Sequence, residues 1–209
     1  MMEDEFMLAG TVTPRVSVQT RVQHDYNIRL ARMISSPDDF AEELQALAAV
    51  QEYDTVQMDI MSVGGSLDTC IMIRRAMSAC QGNIIGWIGP TCASAATAIA
   101  LQCDGWEVDE MSAFMVHTGS FGPGYGKARD VEASTRHTVQ QIERFIRVVY
   151  TGFLTEAEIL LVLDGKELYF VGEQLVAKLE AYAEYRDRPP EEEKPEPSEE
   201  VLDEVAEQD

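Results

Sequence analysis

In RVSVQTRV (15–22), Val16, Val18 and Val22 fall on one parity, the alternation of a strand with one buried face. The next stretch, SSPDDFAEELQALAAVQ, opens as a helix. Ser36 is placed to cap it, Pro37 suits the first turn, and Asp38 and Asp39 complement the positive end of the helix dipole. VQMDIM (56–61) reads as a strand, Gly64 and Gly65 as a turn, and SLDTCIMIRRAMSAC (66–80) as a second helix. NIIGWIG (83–89) has the apolar character of a buried strand, 94–103 that of a short helix made mostly of small residues, and SAFMVH (112–117) that of another strand. A loop containing Gly119, Gly122, Gly124 and Gly126 leads into a charged amphipathic segment, 127–150, which predicts a helix of about six turns. Two more helices are expected, one capped by Thr155 and one over 172–184. Strands that alternate with helices predict parallel β-α units and an α/β fold. No internal repeat is present, and the pattern gives one folded domain, 15–186, after an N-terminal segment, 1–14, expected to be flexible.

Charge changes this picture mainly at the C-terminal end. Residues 189–209 hold ten acidic residues and one basic one, with four of the eight prolines and no aromatic residue. With so little apolar surface to offset the entropy of ordering, 187–209 is expected to be a disordered acidic tail. That segment accounts for −9 of the formal charge of −21, so the rest of the chain is acidic as well. Neither a nucleic-acid partner, whose phosphates need clustered Lys and Arg, nor an anionic membrane surface is expected. The four cysteines, Cys70, Cys80, Cys92 and Cys103, form no CxxC pair and lie in or beside apolar stretches, as buried free thiols do in a reducing compartment. The start, MMEDEF, is acidic where a secretory signal needs positive charge, and no apolar run approaches the ~18 residues of a membrane span. A cytoplasmic location is the expectation.

Three places carry candidate chemistry. Gly64 and Gly65 stand between a strand and a helix, where glycine lets the chain turn sharply and present N–H groups to an anion. Ser94 follows the turn Gly89-Pro90-Thr91 and opens a helix; taken alone it reads as a cap among close-packing alanines. His117 ends a strand and precedes the glycine-rich loop, where parallel α/β sheets gather their sites. His24 and His137 have no such setting. Serine attacks a carbonyl only if a base takes its proton and donors stabilise the oxyanion. A Ser, a His and a Gly-rich turn on successive β-α units supply these parts at one sheet edge. No metal or cofactor motif accompanies them, and the absence of GxxxxGK[ST] means that ATP hydrolysis would need a separate protein.

MSVGGS (61–66), GPTCASAA (89–96) and MVHTG (115–119) resemble, in order and approximate spacing, the signature segments of the Clp family of serine peptidases, over residues 16–179. The resemblance implies a ClpP/crotonase-like α/β fold of repeated β-α units with a protruding handle helix, here 127–150. It implies Ser94 as nucleophile, His117 as general base, and the N–H groups of Gly65 and Ala95 as the oxyanion hole. For the third member of the triad, alignment on LYF (168–170) implies Glu167, with Asp164 as the alternative acid; Glu167 as an ordinary surface carboxylate is the bland reading. The implied setting is a homo-oligomeric chamber of one ring or of stacked rings, acting on peptide or unfolded protein, with folded substrates delivered by a separate AAA+ unfoldase. Substrate main chain would add as a strand beside 120–126. Val139, Ile142, Phe145, Ile146 and Val149 would bury either against a partner subunit or within their own.

The sequence also departs from the family pattern. Val63 stands where a proline is usual, VGEQ (171–174) opens the last helix, and KLEAY (178–182) replaces the usual ending. Such divergence is similar to that of virus-encoded or accessory Clp-like proteins, which would put the chain in a host cytoplasm. Two other functions fit part of this pattern. One is a catalytically silent Clp-like subunit with a structural or regulatory role. The other is a crotonase-type acyl-CoA enzyme, which gives no reason to combine Ser94 with His117.

Overall fold

The computed structural model describes residues 22–122 and 124–189. Val16 and Val18, on which the first expected strand rests, lie outside the described residues, as do 1–14 and 190–209. Val22 precedes the first described strand, β1 (Asp25–Leu30). β1 pairs in parallel with β2 (Thr55–Ser62), Asp25 opposite Thr55 and Leu30 opposite Ile60. The start of this pairing is held by the buried Asp54 carboxylate, which accepts the N–H groups of His24 and Gln51, both at 2.8 Å.

Between the two strands the expected helix begins as a 3-10 turn, Pro37–Phe40, and continues as α1 (Ala41–Ala49). Asp39 accepts the Ser36 N–H at 3.2 Å, and Phe40 is fully buried, which anchors the entry. α2 (Leu67–Ala79) is capped by Ser66, whose hydroxyl accepts the Thr69 N–H. β3 (Asn83–Ala93) is the longest strand and runs parallel to β2. Its pairing steps from Ile60↔Ile88 to Ser62↔Cys92, so β3 carries two extra residues around Gly89 and Pro90. A proline fits such an irregularity because it has no N–H to give to the ladder.

α3 (Ala95–Ala100) is shorter than the expected 94–103 and is buried on every side, which its small residues permit. It leads to β4 (Gly105–Val108), a strand the hydrophobic pattern did not announce, parallel to the first half of β3. β5 (Ala113–Val116) pairs in parallel with the end of β3, Ala93 opposite Met115. The long helix α4 (Ala128–Tyr150) follows, and then α5 (Glu156–Leu163), opened by a capping box in which Thr155 and Glu158 satisfy each other's N–H groups. β6 (Leu168–Val171) runs antiparallel to β5, and α6 (Gly172–Arg186) ends the described chain. The sheet order is β1-β2-β3-β5-β6, with β4 beside β3.

The core lies along the sheet. Met58, Ile60, Ile88, Ile99 and Phe114 are essentially inaccessible, each such side chain contributing roughly 1.5–3 kcal/mol of burial. The apolar positions of α4 divide: Ile146 and Val149 enter this core, Ile142 and Phe145 are half-buried, and Val139 remains 50% exposed. Cys70, Cys92 and Cys103 are buried free thiols, and Cys80 is half-buried and free.

Candidate active site

β2, β3 and β5 are neighbouring strands that, where they pair, run parallel, so their C-terminal ends fall on one edge of the sheet, where the segments that follow converge. Gly65 follows β2, Ser94 follows β3 and His117 follows β5. Together with Ala95 they line one cavity of about 600 Å³. Its apolar wall includes Leu67, Ile142, Phe145 and Ile146, so the half-buried face of α4 lies beside the glycine turn and the serine.

Ser94 sits at φ +56°, ψ −128°, and among the described residues it is the one non-glycine residue with a positive φ. A side chain in that region costs about 1–3 kcal/mol and persists only where the surroundings enforce it. Here they do: the Ser94 N–H donates to the Met115 carbonyl at 2.8 Å, and the Ser94 carbonyl accepts the Thr97 N–H at 2.9 Å and the Thr97 hydroxyl at 2.6 Å. The strand β3 therefore ends in a sharp turn that presents Ser94 at the mouth of α3. Because the turn is tied to β5 two residues before His117, one sheet register sets both side chains. No hydrogen bond joins the Ser94 hydroxyl to the His117 ring.

The glycine turn is equally constrained. The Ile34 N–H donates to the Gly64 carbonyl at 2.8 Å, and the Ser66 N–H donates to the Ile34 carbonyl at 2.6 Å. The Gly64–Gly65 peptide is trans, so the Gly65 N–H points opposite to the Gly64 carbonyl and away from Ile34. Both glycines have positive φ, and neither has room for a side chain. A Cβ on Gly64 would lie 2.6 Å from the Ala93 carbonyl oxygen, and one on Gly65 would lie 2.1 Å from that of Ile34. The Ala95 N–H opens a helix, where the first N–H groups have no partner within the helix. Its own carbonyl receives the Cys70 thiol at 3.3 Å, and burial pushes that thiol up to about 12, so it stays a donor.

Neither candidate acid joins this cluster through a hydrogen bond. Glu167 immediately precedes β6, and its carboxylate accepts the Tyr169 hydroxyl at 2.6 Å. The β5–β6 pairing ends at Val116↔Leu168, and His117 and Glu167 are the next residue on each side of that last pair. Asp164 ends α5, its N–H bonded to the Leu160 carbonyl at 2.9 Å. Thr97 and Tyr150, whose hydroxyls lie 2.7 Å apart beneath Ser94, are absent from the sequence-based set. A threonine in a run of alanines and a tyrosine ending an amphipathic helix both read as packing, and nothing in the sequence joins two residues so far apart.

The model of the Clp protease family matches residues 15–158. The chain belongs to that family. No curated protein matches it. The α/β architecture accords with the Clp fold, and membership makes the chain a ClpP-type peptidase in general terms, of a family whose members assemble into oligomeric rings and act on protein substrates. The matched span includes Gly65, Ser94, Ala95 and His117 and ends before Asp164 and Glu167.

Proposed function

We propose that the chain is a serine endopeptidase that hydrolyses peptide bonds within an oligomeric chamber, with Ser94 as nucleophile and His117 as general base. The observation that carries this is the conformation of Ser94: a residue held at φ +56° at the end of a parallel strand, on the wall of a cavity that His117 also lines. In the proposed reaction Ser94 Oγ attacks the scissile carbonyl as its proton passes to His117. The oxyanion is received by the N–H groups of Gly65 and Ala95. His117 then gives the proton to the leaving amine, and water, activated by the same ring, releases the acyl group. Glu167 holds the imidazole and stabilises its protonated form, with Asp164 as the alternative acid. Gly119, Ser120 and Phe121 border the cavity, so an extended substrate would lie along the loop that begins there. Folded substrates would come through a separate AAA+ unfoldase, and α4 would dock one ring on another.

A fluorophosphonate reagent tests the core of the proposal. Stoichiometric modification of Ser94 in the intact oligomer, abolished in Ser94→Ala and strongly slowed in His117→Ala, is expected. An unmodified oligomer would overturn it. A second reading, a catalytically silent subunit, draws on the Glu167 carboxylate being bonded to Tyr169 rather than to His117; the same unmodified oligomer is what that reading expects.

A further inference from the structure

The Ser94–Ala95 peptide is gripped from behind by a chain of hydrogen bonds that ends on α4. Thr97 Oγ1 lies 2.6 Å from the Ser94 carbonyl oxygen and 2.7 Å from Tyr150 Oη, and both side chains are buried. A carbonyl only accepts, and a hydroxyl has one proton to give. Thr97 therefore spends its proton on Ser94, and Tyr150 must be the donor to Thr97. Burial pushes the Tyr150 phenol up, away from ordinary pH, so this donor is retained. The order runs Tyr150 O–H to Thr97 O–H to Ser94 C=O.

The carbonyl held in this way belongs to the same planar amide as the Ala95 N–H. In a trans peptide the two groups point in opposite directions, so fixing the Ser94 oxygen also fixes where the Ala95 N–H aims. A donor on the carbonyl draws electron density through the amide and makes the N–H at its other end a stronger donor, and serial bonds polarise one another. The Thr97 N–H, at 2.9 Å, adds a second donor to the same oxygen.

We propose that Thr97 and Tyr150 are positioning residues of the acyl-transfer site, which aim and polarise the Ala95 N–H through the Ser94 carbonyl. This rests on Ser94 being the nucleophile. Tyr150 is the last residue of α4, so the C-terminal turn of that helix is tied to the nucleophile turn by two hydroxyls.

The test compares full-length wild type with Thr97→Val, Thr97→Ser, Tyr150→Phe and the Thr97→Val/Tyr150→Phe double variant. Fluorophosphonate modification is measured over a range of reagent concentrations, so that the limiting rate separates from the half-saturating concentration. Thr97→Val is expected to lower the limiting rate about 10–100-fold with half-saturation within about twofold, as for loss of alignment at an oxyanion donor. Tyr150→Phe should lower it about 3–10-fold, and Thr97→Ser, which keeps the hydroxyl, should stay within about threefold of wild type. Because Tyr150 acts only through Thr97, the double variant should be no slower than Thr97→Val alone. Wild-type rates in both single variants, additive losses in the double variant, or failure of Thr97→Ser to restore the rate would overturn the relay while leaving Ser94 as nucleophile. An unmodified wild type would overturn both.

Discussion

Glu167 and Asp164 are three residues apart, yet their backbones put them in different relations to His117. Glu167 and His117 each adjoin the last β5–β6 pair, Val116↔Leu168, whereas Asp164 is committed to the end of α5. The longer Glu side chain has more torsional freedom than an Asp would have, and the Tyr169 hydroxyl at 2.6 Å restrains it. On the proposed mechanism, Glu167→Gln should slow Ser94 acylation by at least about 100-fold, as removal of a triad carboxylate's charge does, while Asp164→Asn leaves it within about twofold. The reverse order would move the acid to Asp164, and full activity in both would remove the carboxylate from the mechanism. At Gly65 steric and chemical demands coincide. Gly65→Ala must push a methyl into the Ile34 carbonyl oxygen 2.1 Å away, at a φ of +148°. Loss of fluorophosphonate modification together with a lowered melting temperature is expected, and wild-type values of both would refute the steric demand at Gly65.

At the level of elements, Asp54 joins the starts of three strands. Its carboxylate accepts from Gln51 and His24, its carbonyl accepts the Asn83 N–H at 3.2 Å, and the adjacent Thr55 N–H reaches the His24 carbonyl. The backbone donors of Gln51 and His24 hold the Asp54 carboxyl below its ordinary 3.8, against the opposing effect of its burial. A depressed folded-state value stabilises the fold above the unfolded-state value, and that contribution is lost as pH falls from about 3.8 through the folded-state value. Urea titrations across this acid range should show wild type losing stability more steeply than Asp54→Asn, which is less stable at neutral pH; parallel slopes would refute the assignment. None of this was visible in the sequence, where Asp54 is one acidic residue among many. The elements that were legible, β2, α2, β3 and α4, are long and strongly patterned. β4 and β6 were not: each has four residues with at most one buried side chain, Phe170 in β6, whereas the equally short β5 buries two. That gap is also why the acid stayed open: its place depends on an antiparallel register that periodicity does not reveal. That Gly65, Ser94 and His117 come to one edge was legible because consecutive parallel β-α units deliver such positions there, and that rule needs no side-chain detail.

For the whole molecule, a formal charge of −21 would oppose the proposed ring assembly, since each protomer would repel the next. α4 departs from this background: its four arginines outnumber its three carboxylates. Two of those arginines are engaged locally, Arg136 with Glu132 and Arg147 with Glu143 and Glu156, so the helix presents a nearly balanced surface. Val139 and Val148 stand exposed on it, at 50% and 72%, while Ile146 and Val149 hold its C-terminal half to the core. A near-neutral helix with exposed apolar positions is suited to meet its own copy. If rings stack through α4, two effects should appear in sedimentation velocity. Raising ionic strength screens the long-range repulsion, whose reach is about 10 Å at 0.1 M, and should shift the population towards the larger particle. Val139→Glu places a charge where an apolar contact would form, and should weaken stacking at least about tenfold without lowering the melting temperature, because that side chain is not part of the subunit core. An assembly indifferent to both changes would locate the ring–ring contact elsewhere and leave the exposed valines of α4 facing solvent.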